Sequence, residues 1–413
     1  MDAWKRTYRA VWIANLATAV GMMSFLPFFP SHLERLGVEG EAAIATWTGV
    51  VFGAAPLAAA VMSPIWGALG DRFGRRMMVL RSMFAITLFV GAMAFARGPW
   101  TLLALRLGQG VFSGFVAPSL TLVSIGAPAE RQGRIAGSLQ VAMGLGAVLG
   151  PLFGELVREA AGIPAVYLCV SLLSGLSGLL VLVLASEDLA KRRAHEGGFR
   201  VGHLLSASLG DLGELRRNAS LRSAVVVIFW LYFGTGATQP QLELFVRELP
   251  AHFAWVPVST AALFSLPAAV NLIAMPLWGR VGDVRGHSRA LALCALLSGV
   301  LLIVNALVVG YEDLLGVRVA LGAALAGAGP LAFGVAAAET PDDRRGGAFG
   351  LVFSARALAI SASAMGGGAL AAVVGMRGLF VLGGLSVLAS WAWASRSRAA
   401  SGTDVDPHPG SRI

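Results

Sequence analysis

The chain has 413 residues, of which 56% are hydrophobic and only 13% are charged. Its mean hydropathy is +0.72, and a soluble domain of this length could not enclose so much apolar surface in one core. These values exclude a soluble globular protein and predict a chain that lies in lipid.

Apolar stretches of about 20 residues, long enough to cross ~30 Å of hydrocarbon as a helix, follow one another along the chain. In order, we expect membrane spans near 10–30, 45–66, 77–96, 99–126, 135–157, 163–185, 223–246, 259–278, 290–310, 314–338, 348–374 and 378–394. The predicted fold class is an all-α integral membrane protein with twelve transmembrane helices in two pseudo-symmetric six-helix bundles. The predicted parts are a first bundle at 1–185, a cytoplasmic central loop at 186–222, a second bundle at 223–394 and a disordered cytoplasmic tail at 395–413.

Lysine and arginine concentrate at the ends of the chain and in every second loop. Because cytoplasmic loops accumulate these residues, both termini are predicted to be cytoplasmic. The net charge of +9 then reflects topology, and no nucleic-acid partner is expected, since the arginines are dispersed between spans. Cys169 and Cys294 lie inside predicted spans with no spacing for a disulfide or a metal, so they are interpreted as packing residues.

The loop between spans 2 and 3 occurs twice in the chain. The stretch from Pro64 to Arg75 returns 212 residues later, from Pro276 to His287, and the same offset relates Arg106 to Arg318. Duplication at this scale is typical of transporters built from two related bundles. The residues assigned to this loop motif are Gly67, Gly70, Asp71, Arg72, Gly74, Arg75 and Arg76 in the first copy and Gly279, Gly282, Asp283 and Gly286 in the second. The glycines permit a tight turn, and we expect Asp71 to face a helix N-terminus, that of span 11 near Gly346.

Spans 4 and 5 carry the next two motifs. Arg106 lies about 9 Å into the bilayer, where an ionised side chain is costly unless it faces protein or a watered cavity. We expect it to face the central cavity; the alternative is an arginine that snorkels to the outer surface. Span 5 contains Gly137, Gly146, Gly150, Pro151 and Gly154, which allow close packing against a neighbour and a bend; packing alone remains a sufficient explanation.

The charged residues inside the spans are nearly all basic. Arg318 and Arg356 join Arg106 at intramembrane depth, Arg356 about 12 Å in from Ala348, and no carboxylate is predicted at that depth. Glu155 and Glu243 each lie about 30 Å along their helices, which places them near the outer interface. A positive cavity attracts anions, so we expect anionic or zwitterionic amphipathic substrates. The alternative is that these arginines pair with backbone carbonyls or lipid phosphate.

A mostly apolar cavity with a few polar groups would suit varied small molecules. The residues predicted to line it are Asn15, Phe25, Phe29, Gln109, Trp230, Tyr232, Phe233, Gln239, Asn271, Arg318 and Arg356. No metal site is expected, because the six histidines lie at no metal spacing, and no cofactor is expected, because no phosphate-binding loop for ATP is present. Nor are clustered nucleophiles or acid–base groups present, so an enzyme is not predicted.

These motifs resemble those of the major facilitator superfamily, specifically its twelve-span drug:proton antiporter branch of multidrug efflux pumps. The resemblance extends to about Trp393, and its strongest element is the loop from Gly67 to Arg76. It implies that the loop latches one conformation, that Arg106 is linked to proton coupling, and that the span 5 glycines mark exporters. Glu155 departs from the pattern, since the family usually has a glycine there. The remaining candidates for proton coupling are Asp71, Glu155 and Glu243.

The resemblance implies a proton-coupled pump that exports small amphipathic compounds by alternating access. The expected partners are small-molecule substrates, protons and the lipid bilayer, and the expected state is a monomer in the plasma (cytoplasmic or inner) membrane. The alternative is a proton-coupled metabolite or sugar transporter of the same fold, against which the span 5 pattern argues.

Overall fold

The computed structural model describes residues 3–128, 131–187, 218–250, 258–341 and 345–400. In the first half the helices are α1 (Ala3–Ser24), a 3-10 turn (Leu26–Phe28), α2 (Phe29–Arg35), α3 (Glu41–Phe73), α4 (Arg75–Met93), α5 (Pro99–Phe112), α6 (Val116–Gly126) and α7 (Gln132–Leu184). In the second half they are α8 (Ala219–Thr238), α9 (Leu242–Glu248), α10 (Ala262–Arg285), α11 (His287–Asn305), α12 (Tyr311–Leu325), α13 (Ala328–Glu339) and α14 (Arg345–Ala400).

Ten stretches of these described helices are long and apolar enough to cross a membrane. The two longest, Gln132–Leu184 with 53 residues and Gly347–Arg396 with 50, exceed the roughly 20 residues that one crossing needs. Each contains a break at a glycine with positive φ, Gly162 at 82° and Gly375 at 69°, a backbone conformation that glycine adopts without steric cost. One pass on each side of each break gives the twelve predicted spans, and the all-α fold class is confirmed.

The internal repeat predicted from the sequence is visible in the geometry of the helices. α4 and α11 begin and end 212 residues apart, and the breaks at Gly162 and Gly375 are 213 apart. Trp66 Nε1 donates to the Val111 carbonyl at 2.6 Å, and Trp278 Nε1 donates to the Ala323 carbonyl at 2.8 Å. The same hydrogen bond therefore joins equivalent spans in both halves.

The buried apolar residues of the described chain form two clusters, one in each half. The first-half cluster includes Ala364 from α14, and the second-half cluster includes Ile44 and Ala45 from α3. In lipid, helix association depends on close packing, because there is no hydrophobic gain from leaving an apolar solvent. Small residues at these crossings permit that packing between the halves.

The predicted boundaries of the parts remain predictions. Most of the central segment, residues 188–217, and the tail 401–413 lie outside the described residues. α14 continues to Ala400, beyond the predicted end of the last span at 394.

Candidate functional site

The duplicated loop forms the same one-residue connection in both halves. α3 ends at Phe73 and α4 begins at Arg75, with Gly74 between them at φ 98°. α10 and α11 are separated in the same way by Gly286 at φ 84°. Only glycine adopts this left-handed region without strain, which explains the repeated glycine. The side chain of Asp71 lies outside the described residues, so its proposed contact with the start of span 11 stays a prediction.

A carboxylate at the end of span 6 binds the first copy of the loop. Glu187 accepts hydrogen bonds from the backbone N–H groups of Arg75 at 2.8 Å and Arg76 at 3.0 Å. Both groups belong to the first turn of α4, where unpaired N–H donors and the helix dipole favour a negative charge. Arg76 also donates to the Leu182 carbonyl, so the loop is held to the end of span 6 at three points.

In the second copy of the loop a histidine stands near the aspartate. His287 Nε2 lies 3.7 Å from Asp283 Oδ1. A Cβ added at Gly282 would lie 2.6 Å from Leu331 Cδ2, so this position is tightly packed. Gly67 and Gly279, in contrast, have no atom within 4 Å of an added Cβ. The two copies thus share backbone geometry but differ in their charged contacts.

The span 5 glycines bring α7 into direct contact with α1. A Cβ added at Gly150 would lie 2.6 Å from the carbonyl oxygen of Val20 and from Met23 Cβ, and one added at Gly154 would overlap the Ser24 carbonyl. Gly146 faces Ala19 in the same way. The predicted close packing of this helix is confirmed for these three positions. Gly137 has no neighbour within 4 Å, and Pro151 is buried inside the continuous helix.

Arg106 is enclosed inside the first half, so the prediction that it faces the cavity is wrong in this structure. Its side chain is 2% exposed. Nε donates to the Val51 carbonyl at 3.1 Å, Nη2 to the Phe52 carbonyl at 3.2 Å and Nη1 to Gln109 Oε1 at 2.6 Å. The Phe52 carbonyl has no helical donor, because the residue four positions later is Pro56. The free carbonyl of Phe52 therefore explains why the guanidinium group of Arg106 binds at this place.

Four residues predicted to line the cavity are enclosed with Arg106 instead. Phe25 and Phe29 lie with their ring centroids 5.6 and 5.2 Å from its guanidinium carbon, a favourable arrangement for a cation. Asn15 accepts from Ser119 Oγ at 3.0 Å, and Gln109 is bound to Arg106. The side chains of Asn15, Phe25, Phe29 and Gln109 are at most 1% exposed, so their placement in an open cavity was wrong.

The equivalent arginine of the second half has a different environment. Arg318 is 5% exposed, and its Nε has no hydrogen-bond partner among the described residues. Arg356 is half-buried and lies over the ring of Tyr232 at 4.6 Å. An unpaired buried donor costs free energy unless a ligand or water meets it. Arg318 Nε is such a donor, and Arg356 holds its charge beside the ring of Tyr232.

The other predicted cavity residues of the second half lie on α8 and α10 or beside them. Trp230 and Phe233 form an aromatic group with Phe229, with centroids 5.2 to 5.9 Å apart. Gln239 is half-buried after the end of α8. Asn271 donates to the Gly322 carbonyl at 3.0 Å and so joins α10 to α12. These side chains remain partly accessible, unlike their predicted counterparts in the first half.

The two halves are joined by a charged group at one end of the molecule, which we call the closed end. Glu243 on α9 accepts from Ser31 on α2, from its N–H at 3.1 Å and from its hydroxyl. Arg247 donates to Glu34 at 2.5 Å and approaches Glu243 at 3.3 Å. The hydrogen bond to Glu34 raises the pKa of Arg247, so this arginine stays charged. α2 and α9 occupy equivalent positions of the two halves.

Further contacts between the halves lie at the same end. Ser259, before α10, donates through its hydroxyl to Glu155 on α7, and a Cβ added at Gly49 would overlap the Ala364 carbonyl. Burial, together with a hydrogen bond to Glu41 of the other half, raises the pKa of Glu248. The hydrogen bonds from Ser31 to Glu243, from Arg247 to Glu34 and from Ser259 to Glu155 thus join the halves at this end. At the opposite, loop-motif end, a Cβ added at Gly67 or Gly279 would have no atom within 4 Å.

Sequence reasoning missed Ser31, Glu34, Arg247, Ser259 and Glu187. One signal could have found the first three, because Ser31 and Glu243 are 212 residues apart and Glu34 and Arg247 are 213 apart. The offset between α2 and α9 is 213, so Glu34 and Arg247 occupy equivalent positions that meet on the pseudo-twofold axis. Ser31 meets Glu243, which is the residue before its own equivalent, Leu244.

Comparisons with known proteins agree with this architecture. The model of the Major Facilitator Superfamily matches residues 11–257 and 244–409. Multidrug resistance protein MdtG of Dickeya zeae (strain Ech586) is 32% identical over 322 residues, covering 78% of this chain and 77% of that protein. Multidrug resistance protein MdtG of Salmonella arizonae is 28% identical over 403 residues, covering 97% and 98%.

Solved structures share the fold at low sequence identity. A bacterial homolog of the human lysosomal transporter Spinster, in an inward-facing and occupied conformation, has a TM-score of 0.76 at 13% identity and covers 97% of this chain and 98% of that one. The human organic anion transporter MFSD10 (TETRAN) has a TM-score of 0.68 at 19% identity, with 95% and 99% covered. The chain therefore belongs to the Major Facilitator Superfamily and is a multi-pass membrane transporter, not an enzyme.

Proposed function

We propose that this transporter exports small amphipathic compounds from the cytoplasm in exchange for protons. The names of its MdtG relatives, which are multidrug resistance proteins, support the direction and the breadth of substrates. The observation that carries the proposal is the closure of one end by hydrogen bonds between the two halves. That arrangement is one of the two states that rocking of two bundles requires.

The proposed orientation places both termini and the loop motif in the cytoplasm. It rests on the concentration of lysine and arginine at the loop-motif end of the spans. The closed end is then the outer end, and the structure corresponds to a transporter that is closed on its outer side. We place the protein in the inner membrane of a bacterium as a monomer, with bundles at 1–185 and 223–394 joined by the central loop.

Protons are proposed to act on the carboxylates of the closed end. Glu243 and Glu155 each bind a serine of the opposite half, so neutralising either one removes a charge-assisted hydrogen bond between the bundles. Asp71 would act in the same way at the loop-motif end, as a latch. Arg106 would respond to the movement of the bundles through the carbonyls of α3 that it binds, since a shift of α3 would change the hydrogen bonds of Arg106.

Anionic or zwitterionic compounds are the proposed preferred substrates. Arg318 and Arg356 present positive charge in the second half, and neither has a carboxylate partner among the described residues. Arg106 does not contribute, because backbone carbonyls already bind it. The aromatic group of Phe229, Trp230 and Phe233 would supply apolar surface beside this charge.

The proposal is tested by measuring compound accumulation in an efflux-deficient bacterium that expresses the protein. Anionic, zwitterionic and cationic compounds are compared with and without a protonophore. We expect lowered accumulation that the protonophore abolishes. No change for any compound would refute multidrug export and favour a carrier for a single metabolite.

Two arginine variants test the proposed preference for anionic substrates. Arg318→Gln and Arg356→Gln should each weaken export of anionic compounds while export of cationic compounds is kept. Arg97→Gln, at an exposed position in an outer loop, is the matched control for the loss of one positive charge. Unchanged export of every anionic compound by both variants would exclude these arginines as the anion site.

A further inference from the structure

A second cavity, outside the transport pathway argued above, lies at the loop-motif end of the first half. It has a volume of about 240 Å³ and opens where the start of α1 meets the start of α7. The aromatic and basic side chains that line it are those of Trp4, Lys5, Tyr8, Arg9, Arg131 and Arg134. Two helices that are far apart in sequence thus both line one open cavity.

The lining of this cavity is strongly basic. It carries four cationic side chains, and none of the described residues that line it is acidic. Lys5 and Arg9 also take part in other interactions, so the argument depends on the summed charge and not on any one free group. Lys5 Nζ and the Arg131 guanidinium carbon lie 5.7 and 5.9 Å from the ring centroid of Trp4, which groups the positive charge around one aromatic ring.

The deeper side of the cavity is built from apolar and firmly held residues. Tyr8 and Ser138 share a hydrogen bond of 2.7 Å between their hydroxyl groups, and Trp12 Nε1 donates to the Ser138 carbonyl at 3.0 Å. Ile135 closes this side and is 5% exposed. The cavity is therefore a cup, with an apolar base towards the membrane centre and cationic side chains around its mouth.

We propose that this cup binds the phosphate group of an anionic phospholipid from the cytoplasmic leaflet. Basic pockets between transmembrane helices on the cytoplasmic side bind such headgroups, and tryptophan and tyrosine favour the depth at which headgroups lie. A free phosphate has the same charge chemistry but no acyl chains to follow the apolar flank of α1 and α7. The inference goes beyond the proposed function and uses only its orientation.

The experiment compares three probes on the purified full-length protein in detergent. Thermal unfolding is measured with added phosphatidylglycerol, with phosphatidylethanolamine and with inorganic phosphate. We expect phosphatidylglycerol to raise the Tm most and to remain bound as discrete adducts in native mass spectrometry. An equal effect of phosphatidylethanolamine would overturn the proposal. An equal effect of inorganic phosphate at the same concentration would keep the anion site but assign it to a soluble anion.

Variants locate the effect in the cup. Since each basic residue near an anionic surface contributes about fivefold in binding, the double variant R131Q/R134Q should bind phosphatidylglycerol about 25-fold more weakly. R131K/R134K keeps the charge and should retain most of the binding, which separates an anion site from a merely structural role. The matched control is R6Q/R396Q, because both residues are exposed and lie outside the cup. Equal losses in R131Q/R134Q and R6Q/R396Q would show diffuse attraction to the whole surface and overturn the site.

Discussion

Replacing Glu243 by glutamine should shift the transporter towards a state that is open at the closed end. Glu243 is 8% exposed and accepts two hydrogen bonds from Ser31 of the other half. A hydrogen bond to a charged group contributes about 1.5 to 3 kcal/mol, and glutamine keeps an acceptor oxygen without the charge. The pair with Arg247 adds little, since that side chain is 42% exposed. A loss of about 2 kcal/mol corresponds to a roughly 30-fold fall in the ratio of closed to open molecules.

The distance between the halves at this end measures that ratio. Spin labels on introduced cysteines at Glu39 and Val309, both exposed and in opposite halves, would report it in a variant without Cys169 and Cys294. We expect a new population of longer distances in Glu243→Gln. Glu159→Gln, which neutralises an exposed carboxylate at the same end, should resemble the parent protein. An unchanged distance distribution in Glu243→Gln would refute the reasoning that this carboxylate holds the halves together.

Three further predictions follow from the site. Glu187→Ala should lower the Tm by about 1 °C, because it removes the carboxylate that binds the first turn of α4, and a loss of about 1 kcal/mol has that effect in a chain of this length. Gly154→Leu should abolish folded protein in the membrane and Gly137→Ala should not, as measured by fluorescence-detected size-exclusion chromatography, since only Gly154 faces backbone across the helix crossing. Burial and Glu41 raise the pKa of Glu248, so the closed end favours the protonated form of Glu248. The stabilisation of the closed end that follows is fully present below the ordinary pKa of a glutamate. It is lost as pH rises through the raised pKa of Glu248. The spin-label distances should therefore lengthen over that interval, and Glu248→Gln should remove this dependence.

The fold was predictable because its main determinants are local or repeated. Span length depends on runs of apolar residues, and the positive φ at Gly74 and Gly286 accompanies a motif that occurs twice. The two breaks, at Gly162 and Gly375, fall between predicted spans where basic and small residues interrupt the apolar run. Each of these features can be recognised without knowing which helices pack together.

The arrangement around Arg106 could not be predicted in the same way. Helical periodicity gives the face on which Phe25 and Phe29 lie. In a membrane protein, however, an apolar face can pack against a neighbouring helix or against lipid, and periodicity does not distinguish the two. The decisive feature was the free carbonyl of Phe52, which follows from Pro56. That carbonyl attracts the arginine into the bundle, and the aromatic rings then cover it. The sequence contained this signal, but its meaning depended on the contact between α3 and α5.

The pairing at the closed end shows where the two halves are obliged to differ. Residues at equivalent positions of a repeat meet each other on the pseudo-twofold axis, as Glu34 meets Arg247. Ser31 meets Glu243, one position away from its own equivalent. Had the halves stayed identical here, glutamate would face glutamate and arginine would face arginine, and like charges in contact oppose association. The differences between the repeats at these positions replace that repulsion by complementary charge. Because the paired groups also separate whenever the halves rock apart, the same four residues can hold one state of the transporter without preventing the other.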